Sequence, residues 1–286
     1  LAERIELAIP GVNPFLPHLA TLKWTLDLTP DTKLLNVELL DPEVRKGFQY
    51  KPGQFAFVSA FGIGEAPFGI SSVAYRDEGL EFAIRRVGTV TAGLHELEPG
   101  DTLGVRGPLG NFFPLEDYRG RHILIIGGGI GMAPLRPVIN TIVDHRADYQ
   151  RLTIINGART PRDLVFQNEF DAWARSPDTE LVLTVDRGDE GWTGRVALVP
   201  DVVTELAPSP ENTVAIICGP PIMIRFTLER LKGLGFEDHQ IVTTLENKMK
   251  CGLGKCARCN VGDRYVCKDG PVFTFQQISQ FLEEVG

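Results

Sequence analysis

RHILIIGGGIG, residues 121–131, is where the grammar of this chain changes. A short apolar run reads as a buried strand, emptying into Gly127, Gly128, Gly129 and Gly131 before APLRPVINTIVDH takes up a helical pattern. Glycines at such a turn permit positive φ and close backbone approach, and the helix that follows offers unpaired N–H groups to a phosphate. The spacing falls short of a full G-x-G-x-x-G, because Met132 stands in the last glycine's place if Gly127 is the first. Taken alone, the stretch is also compatible with a tight turn that binds nothing.

Strand and helix patterns alternate from there: LTIING, DLVFQNEFDAWAR, ELVLTVD, VALVPDVVTEL, TVAIICGP, PIMIRFTLERLKGLG and HQIVTTLE. This order predicts a doubly wound parallel sheet with helices on both faces, whose ligands bind outside the C-terminal ends of the strands. Cys218, Gly219 and Pro220 end one such strand and would face the same crevice as the glycine turn. A buried cysteine before a Gly-Pro helix start is the plainer alternative. The second strand ends in NGARTPRD, without the acidic residue expected about 20 positions on. Arg159 and Arg162 suit a ribose 2′-phosphate and Asp163 a ribose hydroxyl, so NADH and NADPH both stay open. Asp186 and Trp192, in TVDRGDEGWTGR, follow another strand near the same edge, or form a plain turn.

Upstream, from Thr21 to Pro114, short β-type runs (TLKWTLDLT, LLNVELL, QFAFVSA, LEFAIRRV, DTLGVRGP) are punctuated by DP, KPG, DEG and EPGD, the pattern of a small antiparallel barrel. Residues 1–20, with three prolines, read as a short helix and then an extended arm. Downstream, Cys251, Cys256, Cys259 and Cys267 stand at C-x4-C-x2-C-x7-C. Disulfides do not suit a chain that otherwise reads as cytoplasmic. Spacing alone leaves a four-thiolate zinc site and a plant-type 2Fe–2S arrangement both open.

A net charge of −8 argues against a nucleic-acid binder. No run approaches the roughly 18 apolar residues of a membrane span, and LAERIELAIPG does not read as a signal peptide. A start upstream of Leu1 is expected. His18, His95, His122, His145 and His239 show no metal spacing and read as surface or packing residues.

GGGIGMAPL, NGARTPRDL and CGPPIM together resemble the pyrophosphate, ribose and nicotinamide motifs of the ferredoxin–NADP reductase superfamily. PFGISS and RRVGTVT resemble its two flavin stretches. The resemblance covers nearly the whole chain. It implies FAD contacts at Pro67, Phe68, Gly69, Ile70 and Ser71, and at Arg85, Arg86, Val87, Gly88, Val90 and Thr91. It implies NAD(P) contacts at Gly127, Gly128, Gly129 and Gly131, at Arg159, Asp163 and Asp186, and at Cys218, Gly219, Pro220 and Met223. The family's flavin-motif arginine aligns with Ala66 here, its tyrosine with Phe68 and its serine with Gly69. That removes a charge-assisted contact to the flavin pyrophosphate, which Arg85 or Arg86 and the backbone of residues 88–91 are expected to replace.

The cysteine lobe narrows the resemblance to the branch holding the dihydroorotate dehydrogenase electron-transfer subunit, the flavin subunits of soluble NiFe hydrogenases and sulfhydrogenases, and the B subunit of anaerobic sulfite reductase. NPFLPHLA with EAPFGISS is most similar to the hydrogenase and sulfite-reductase members. A reductase of this kind needs a one-electron outlet that zinc cannot provide, so context favours 2Fe–2S on the four cysteines, with Gly252, Gly254 and Ala257 shaping the loop and Lys255, Arg258 and Lys268 offsetting its charge. The expected organisation is an arm (1–20), an FAD-binding β-barrel (21–116), an NAD(P)-binding α/β domain (117–243) and a cluster lobe (244–286). The lobe is expected on the flavin side, joined through Glu246, Asn247 and Lys248.

The expected activity is that of a cytoplasmic NAD(P)H-dependent flavin/iron–sulfur oxidoreductase subunit, with no side-chain acid or base. Its expected partner is an iron–sulfur-bearing catalytic subunit of hydrogenase or sulfite-reductase type. Alternatives are an electron-bifurcating complex, the dihydroorotate dehydrogenase electron-transfer subunit, and a non-redox docking module stapled by zinc.

Overall fold

The structure is a computed structural model that describes residues 13–76 and 78–284. The short helix expected near the N-terminus lies outside the described residues. Strands β1 (His18–Thr29), β2 (Thr32–Leu39), β3 (Phe55–Ala60), β4 (Gly64–Gly69), β5 (Leu80–Arg85) and β6 (Thr102–Leu109) form one antiparallel sheet in the order β4-β3-β6-β1-β2-β5. It closes into a barrel through the segment after β4. Ser71 N donates to the Glu81 carbonyl on β5 at 2.8 Å, and Glu81 N donates to Ser72 Oγ at 3.0 Å. Its interior is filled by Leu22, Leu35, Val37, Val58, Phe82, Ile84 and Val105.

Two short helices decorate the barrel. Helix α1 (Pro42–Gly47) starts where Asp41 accepts from Glu43 N and Val44 N, with Pro42 in the first turn. Helix α2 (Thr89–His95) follows β5 and buries Thr91 and Leu94. Two features depart from the sequence reading. β1 begins at His18, inside the expected arm, because His18–Thr21 pair with Val105–Thr102 of β6. β4, made of GEAPFG, is a strand despite its glycines and proline; it pairs with β3 and lies at the end of the sheet order, where a proline costs no ladder hydrogen bond.

The second sheet runs β10-β9-β8-β7-β11-β12-β15. Its strands are β7 (His122–Gly128), β8 (Leu152–Ala158), β9 (Thr179–Val185), β10 (Arg195–Val196), β11 (Thr213–Cys218), β12 (Ile241–Thr244) and β15 (Val272–Thr274), all parallel to their neighbours except β15. The continuous apolar run of β7 reflects burial on both faces. Ile123 and Ile125 pack with α3 (Met132–Asp144) and with Trp173 of α4 (Phe170–Arg175). Leu124 and Ile126 pack with α5 (Val199–Leu206) and α6 (Pro221–Gly233).

The helix expected over DLVFQNEFDAWAR is confined to its last six residues, Phe170–Arg175. Buried Phe166 sits at φ 60°, ψ 34°, a left-handed conformation that a helix cannot continue through.

In the cysteine lobe, β13 (Asn260–Val261) and β14 (Arg264–Tyr265) form a hairpin, followed by α7 (Val266–Asp269) and, after β15, α8 (Phe275–Ile278). The lobe is built onto both sheets. β15 pairs antiparallel with β12, and Phe55, Phe57 and Leu109 of the barrel share a core with Val261, Val266, Phe273 and Ile278. Asn111 ties the two further: its amide donates to the carbonyls of Asp269 and Val272 and accepts from Val272 N. Among the described residues, no helix is long and apolar enough to cross a membrane.

Candidate functional site: a glycine crevice, a flavin edge and a cysteine loop

The glycine turn and the Cys218 turn are adjacent because β7 and β11 are adjacent, with Gly127 opposite Cys218. Each glycine's lack of a side chain is used. A Cβ on Gly131 would collide with the Cys218 carbonyl, one on Gly128 with the Met223 sulfur, and one on Gly219 would lie 3.2 Å from Gly128 N. Gly129, at φ +54°, is the exception, since nothing lies within 4 Å of its Cβ position. The backbone at Gly129 is therefore open on one side, at the entrance to the thirteen-residue helix α3.

The remaining nucleotide positions lie on the same edge. Asp186 N donates to the Ala158 carbonyl and Arg187 N to the Arg159 carbonyl, holding the ends of β8 and β9 together. Burial raises the Asp186 pKa, against the pull of Arg159 and Arg187. Asp163 is committed locally, accepting from the Thr160 hydroxyl at 2.6 Å. Trp192 folds into its own loop, its indole donating to the Arg195 carbonyl. Cys218 is buried, its sulfur 2.8 Å from the Thr244 hydroxyl, and burial pushes its thiol up to about 12. It is a packed thiol, protonated at neutral pH.

The two flavin stretches also meet. A Cβ on Gly64 of β4 would lie 3.2 Å from Val90 of α2, and Gly69 lies against Pro134 at the start of α3. Residues 66–69 are half-buried along that edge, while Ile70 and Ser71 are buried. The cations expected near the flavin pyrophosphate have partners within the protein: Arg85 pairs with Asp31 at 2.7 Å and Arg86 with Glu96 at 3.2 Å. The Thr91 hydroxyl accepts from Val87 N and Gly88 N, fixing the loop that leads into α2.

The four cysteines are neighbours: Cys251 has Cys256 beside it, and Cys267 has Cys259 beside it with Cys251 also near enough to act on it. Two thiolates for each of two irons is the ligand division of a diiron cluster. Gly252, Gly254 and Ala257 adopt positive φ (76°, 69° and 55°), which curls the loop so that its N–H groups face inward. Leu253 N and Lys255 N reach Cys251 Sγ at 3.4 and 3.3 Å, and Gly254 N reaches Cys267 Sγ at 3.2 Å. Burial opposes the Cys251 thiolate, but N–H groups of Leu253, Cys256 and Lys255 outweigh it and bring its pKa down to about 6. Burial and the neighbouring Cys259 push Cys267 up to about 12. At the join, Asn247 donates to the Asn260 carbonyl, and Glu246 and Lys248 are exposed.

Three residues escaped the sequence reading. Arg106 and Arg136 are charged yet buried, and nothing in DTLGVRGP or APLRPVINTIV distinguishes them from solvent-facing residues. Asn156, opposite Gly127, is fully buried with neither amide atom partnered. An orphaned amide at the floor of a turn is a group that a bound ligand or water satisfies.

A flavin edge, a nucleotide crevice and a paired-thiol loop on one body define an electron-transfer oxidoreductase. Comparison with known proteins agrees along the chain: an oxidoreductase FAD-binding domain matches residues 20–113, an oxidoreductase NAD-binding domain 125–229, and the iron–sulfur cluster binding domain of dihydroorotate dehydrogenase B 246–279. The chain belongs to the branch of the ferredoxin–NADP reductase superfamily that contains sulfhydrogenase gamma subunits and dihydroorotate dehydrogenase B electron-transfer subunits. It is 40% identical over 280 residues to sulfhydrogenase 1 subunit gamma of Pyrococcus furiosus, covering 96% of each chain. It is 33% identical over 273 residues to a probable dihydroorotate dehydrogenase B (NAD(+)) electron transfer subunit of Methanocaldococcus jannaschii, covering 94% of each. Its fold matches a chain of the NADH-dependent reduced ferredoxin-NADP oxidoreductase with a TM-score of 0.72 at 24% identity, covering 96% of this chain and 95% of that one. The protein thus carries FAD-, NAD- and iron–sulfur-binding domains.

Proposed function

We propose that this chain is the flavin subunit of a hydrogenase-type complex, passing electrons between NAD(P)H and a catalytic partner through FAD and a 2Fe–2S cluster. The observation that carries it is the seat of the cysteine loop, on the barrel wall formed by Phe57, Arg106 and Leu109, next to the strand that leads into the flavin stretch. A bound flavin would supply hydride exchange with the nicotinamide and one-electron chemistry toward the cluster held by the cysteine loop. Cys251, Cys256, Cys259 and Cys267 hold the cluster. Residues 67–71 and 85–91 hold the flavin, with backbone replacing the family's arginine, since Arg85 and Arg86 already have carboxylate partners.

The glycine turn takes the nucleotide pyrophosphate at Gly129, and Cys218–Pro220 with Met223 line the nicotinamide pocket. Arg159 and Arg162 are exposed and, among the described residues, make no side-chain hydrogen bond or ion pair, whereas Asp163 is occupied by Thr160. That contrast supports NADPH as the preferred nucleotide. The hydrogenase-type partner is supported by the whole-length similarity to sulfhydrogenase gamma subunits.

Anaerobically purified protein should show flavin bands and broad iron–sulfur absorption, two irons per chain, and bleaching by NADPH at lower concentration than by NADH. Affinity purification from its native cells should recover a partner that supports hydrogen-dependent NADP reduction. A colourless, zinc-containing protein overturns the reading, and recovery of dihydroorotate oxidation transfers it to the dihydroorotate dehydrogenase branch.

A further inference from the structure

Arg106 belongs to none of the cofactor motifs, yet it lies between the barrel and the cysteine loop, touching Glu65 and Phe57 on one side and the Lys250 and Cys251 carbonyls on the other. It sits on β6, 4% exposed. Its Nη2 lies 2.7 Å from Glu65 Oε1, and its Nε 3.4 Å from Glu65 Oε2. Its Nη1 donates to the Cys251 carbonyl at 2.8 Å, and Nη2 lies 3.5 Å from the Lys250 carbonyl. The guanidinium also stacks 4.2 Å above the Phe57 ring. Gly252 closes the contact: at φ +76°, its Cβ position is 2.9 Å from Phe57, 2.8 Å from Leu109 and 3.3 Å from Arg106 Nη1. A buried cation therefore stands directly behind the first cysteine of the cluster set. Its carboxylate partner, Glu65 on β4, two residues ahead of Pro67, has its side chain 34% exposed, so solvent screens it more than it screens Arg106.

We propose that Arg106 is a positioning residue that sets the reduction potential of the cluster, its buried positive charge favouring the reduced state and Glu65 moderating it. The inference rests on the reading of the four cysteines as a diiron site. NAD(P)H gives its hydride to the flavin, which would pass the two electrons on one at a time; each one-electron reduction of the cluster would add one negative charge to the centre and make or break no bond there. A fixed cation within the same low-dielectric wall stabilises that added charge, and a fixed anion opposes it. The two members of the ion pair must therefore act with opposite sign. A purely structural clamp predicts no such opposition, because either substitution would loosen the same contact.

The test is an anaerobic redox titration followed by electron paramagnetic resonance of the whole protein, comparing wild type with Glu65→Gln, Arg106→Gln and Arg106→Lys. Poised at the wild-type midpoint, Arg106→Gln should lower the ratio of reduced to oxidised cluster about tenfold, 59 mV for a one-electron couple, and Glu65→Gln, whose carboxylate is partly solvated, should raise it by a smaller factor of about threefold. Arg106→Lys, which keeps the charge, should stay within about threefold of wild type. Shifts in the same direction, or no shift in Glu65→Gln, overturn the proposal. If Arg106→Gln does not accumulate folded, the sign of the Glu65→Gln shift decides alone. A wild-type protein with no signal from a reduced diiron centre would instead sink the electron-transfer reading itself.

Discussion

Replacing Arg136 by methionine tests how the barrel is joined to the nucleotide domain. Arg136 projects from α3, its side chain 10% exposed, and meets Glu81 of β5 and Glu169 at 2.5 Å each. It also donates to the Ser71 carbonyl at 2.8 Å, at the end of the proposed flavin stretch. The two carboxylates are 5% and 15% exposed, so the small energies of surface ion pairs do not apply. Burial alone would lower the Arg136 pKa, but Glu169 and Glu81 raise it, and the cation persists at every working pH. Methionine fills similar volume but leaves two buried anions unbalanced, with Glu81 keeping only a 3.4 Å contact to the Asn36 amide. Breaking a buried pair in this way costs about 3–5 kcal/mol. At about 2–4 °C per kcal/mol, Tm should fall by roughly 6–20 °C.

The assay is thermal unfolding followed by circular dichroism, with bound flavin measured on the same samples. Flavin content should fall in parallel, because the Ser71 carbonyl loses its donor. Adding Glu81→Gln to the variant removes one stranded charge and should recover part of the loss. A fall below about 2 °C, or a second substitution that deepens the loss, would refute the account.

Gly131→Ala places a methyl group against the Cys218 backbone carbonyl and should cost about 1–3 kcal/mol, with nucleotide affinity reduced in titration calorimetry. Gly129→Ala meets no protein atom, so it should cost only about 1 kcal/mol of stability, from its left-handed backbone, yet its methyl group sits where the pyrophosphate is proposed to bind and should still weaken nucleotide affinity. Cys218 should resist alkylation in native protein at pH 8, as read by peptide mass mapping. Its folded pKa, about 12, lies above the unfolded value of 9.0, so the stability linked to this thiol is complete below pH 9 and is lost as pH rises towards 12. Cys218→Ala should flatten that part of the alkaline stability curve, and an unchanged slope would refute the assignment.

Periodicity makes most of the elements legible in the sequence alone. The apolar runs at 122–126 and 213–218 read as buried strands and pack on both faces in the structure, and the short runs between residues 21 and 114 read as strands that share one core. Legibility fails where local chemistry disagrees with tertiary context. GEAPFG carries two glycines and a proline, and it is a strand only because β3 supplies its partners. DLVFQNE has helical periodicity, yet Phe166 turns left-handed to bury its ring beside Trp173.

Spacing by itself offered a glycine turn suited to phosphate, a small antiparallel barrel and four close thiols suited to a metal; the resemblance to a family added the flavin and chose iron over zinc. The spacing patterns depend on residue types at short separations along one chain segment. The tertiary structure alone decided how the thiols are presented, because the positive-φ residues Gly252, Gly254 and Ala257 curl the loop so that backbone N–H groups reach Cys251 and Cys267 Sγ. It also decided that Arg106 and Arg136 are buried, each against a carboxylate and a backbone carbonyl. Whether a charge is solvated or enclosed depends on residues 41 to 145 positions away along the chain, Glu65 and Cys251 around the first, and Ser71 and Glu81 around the second.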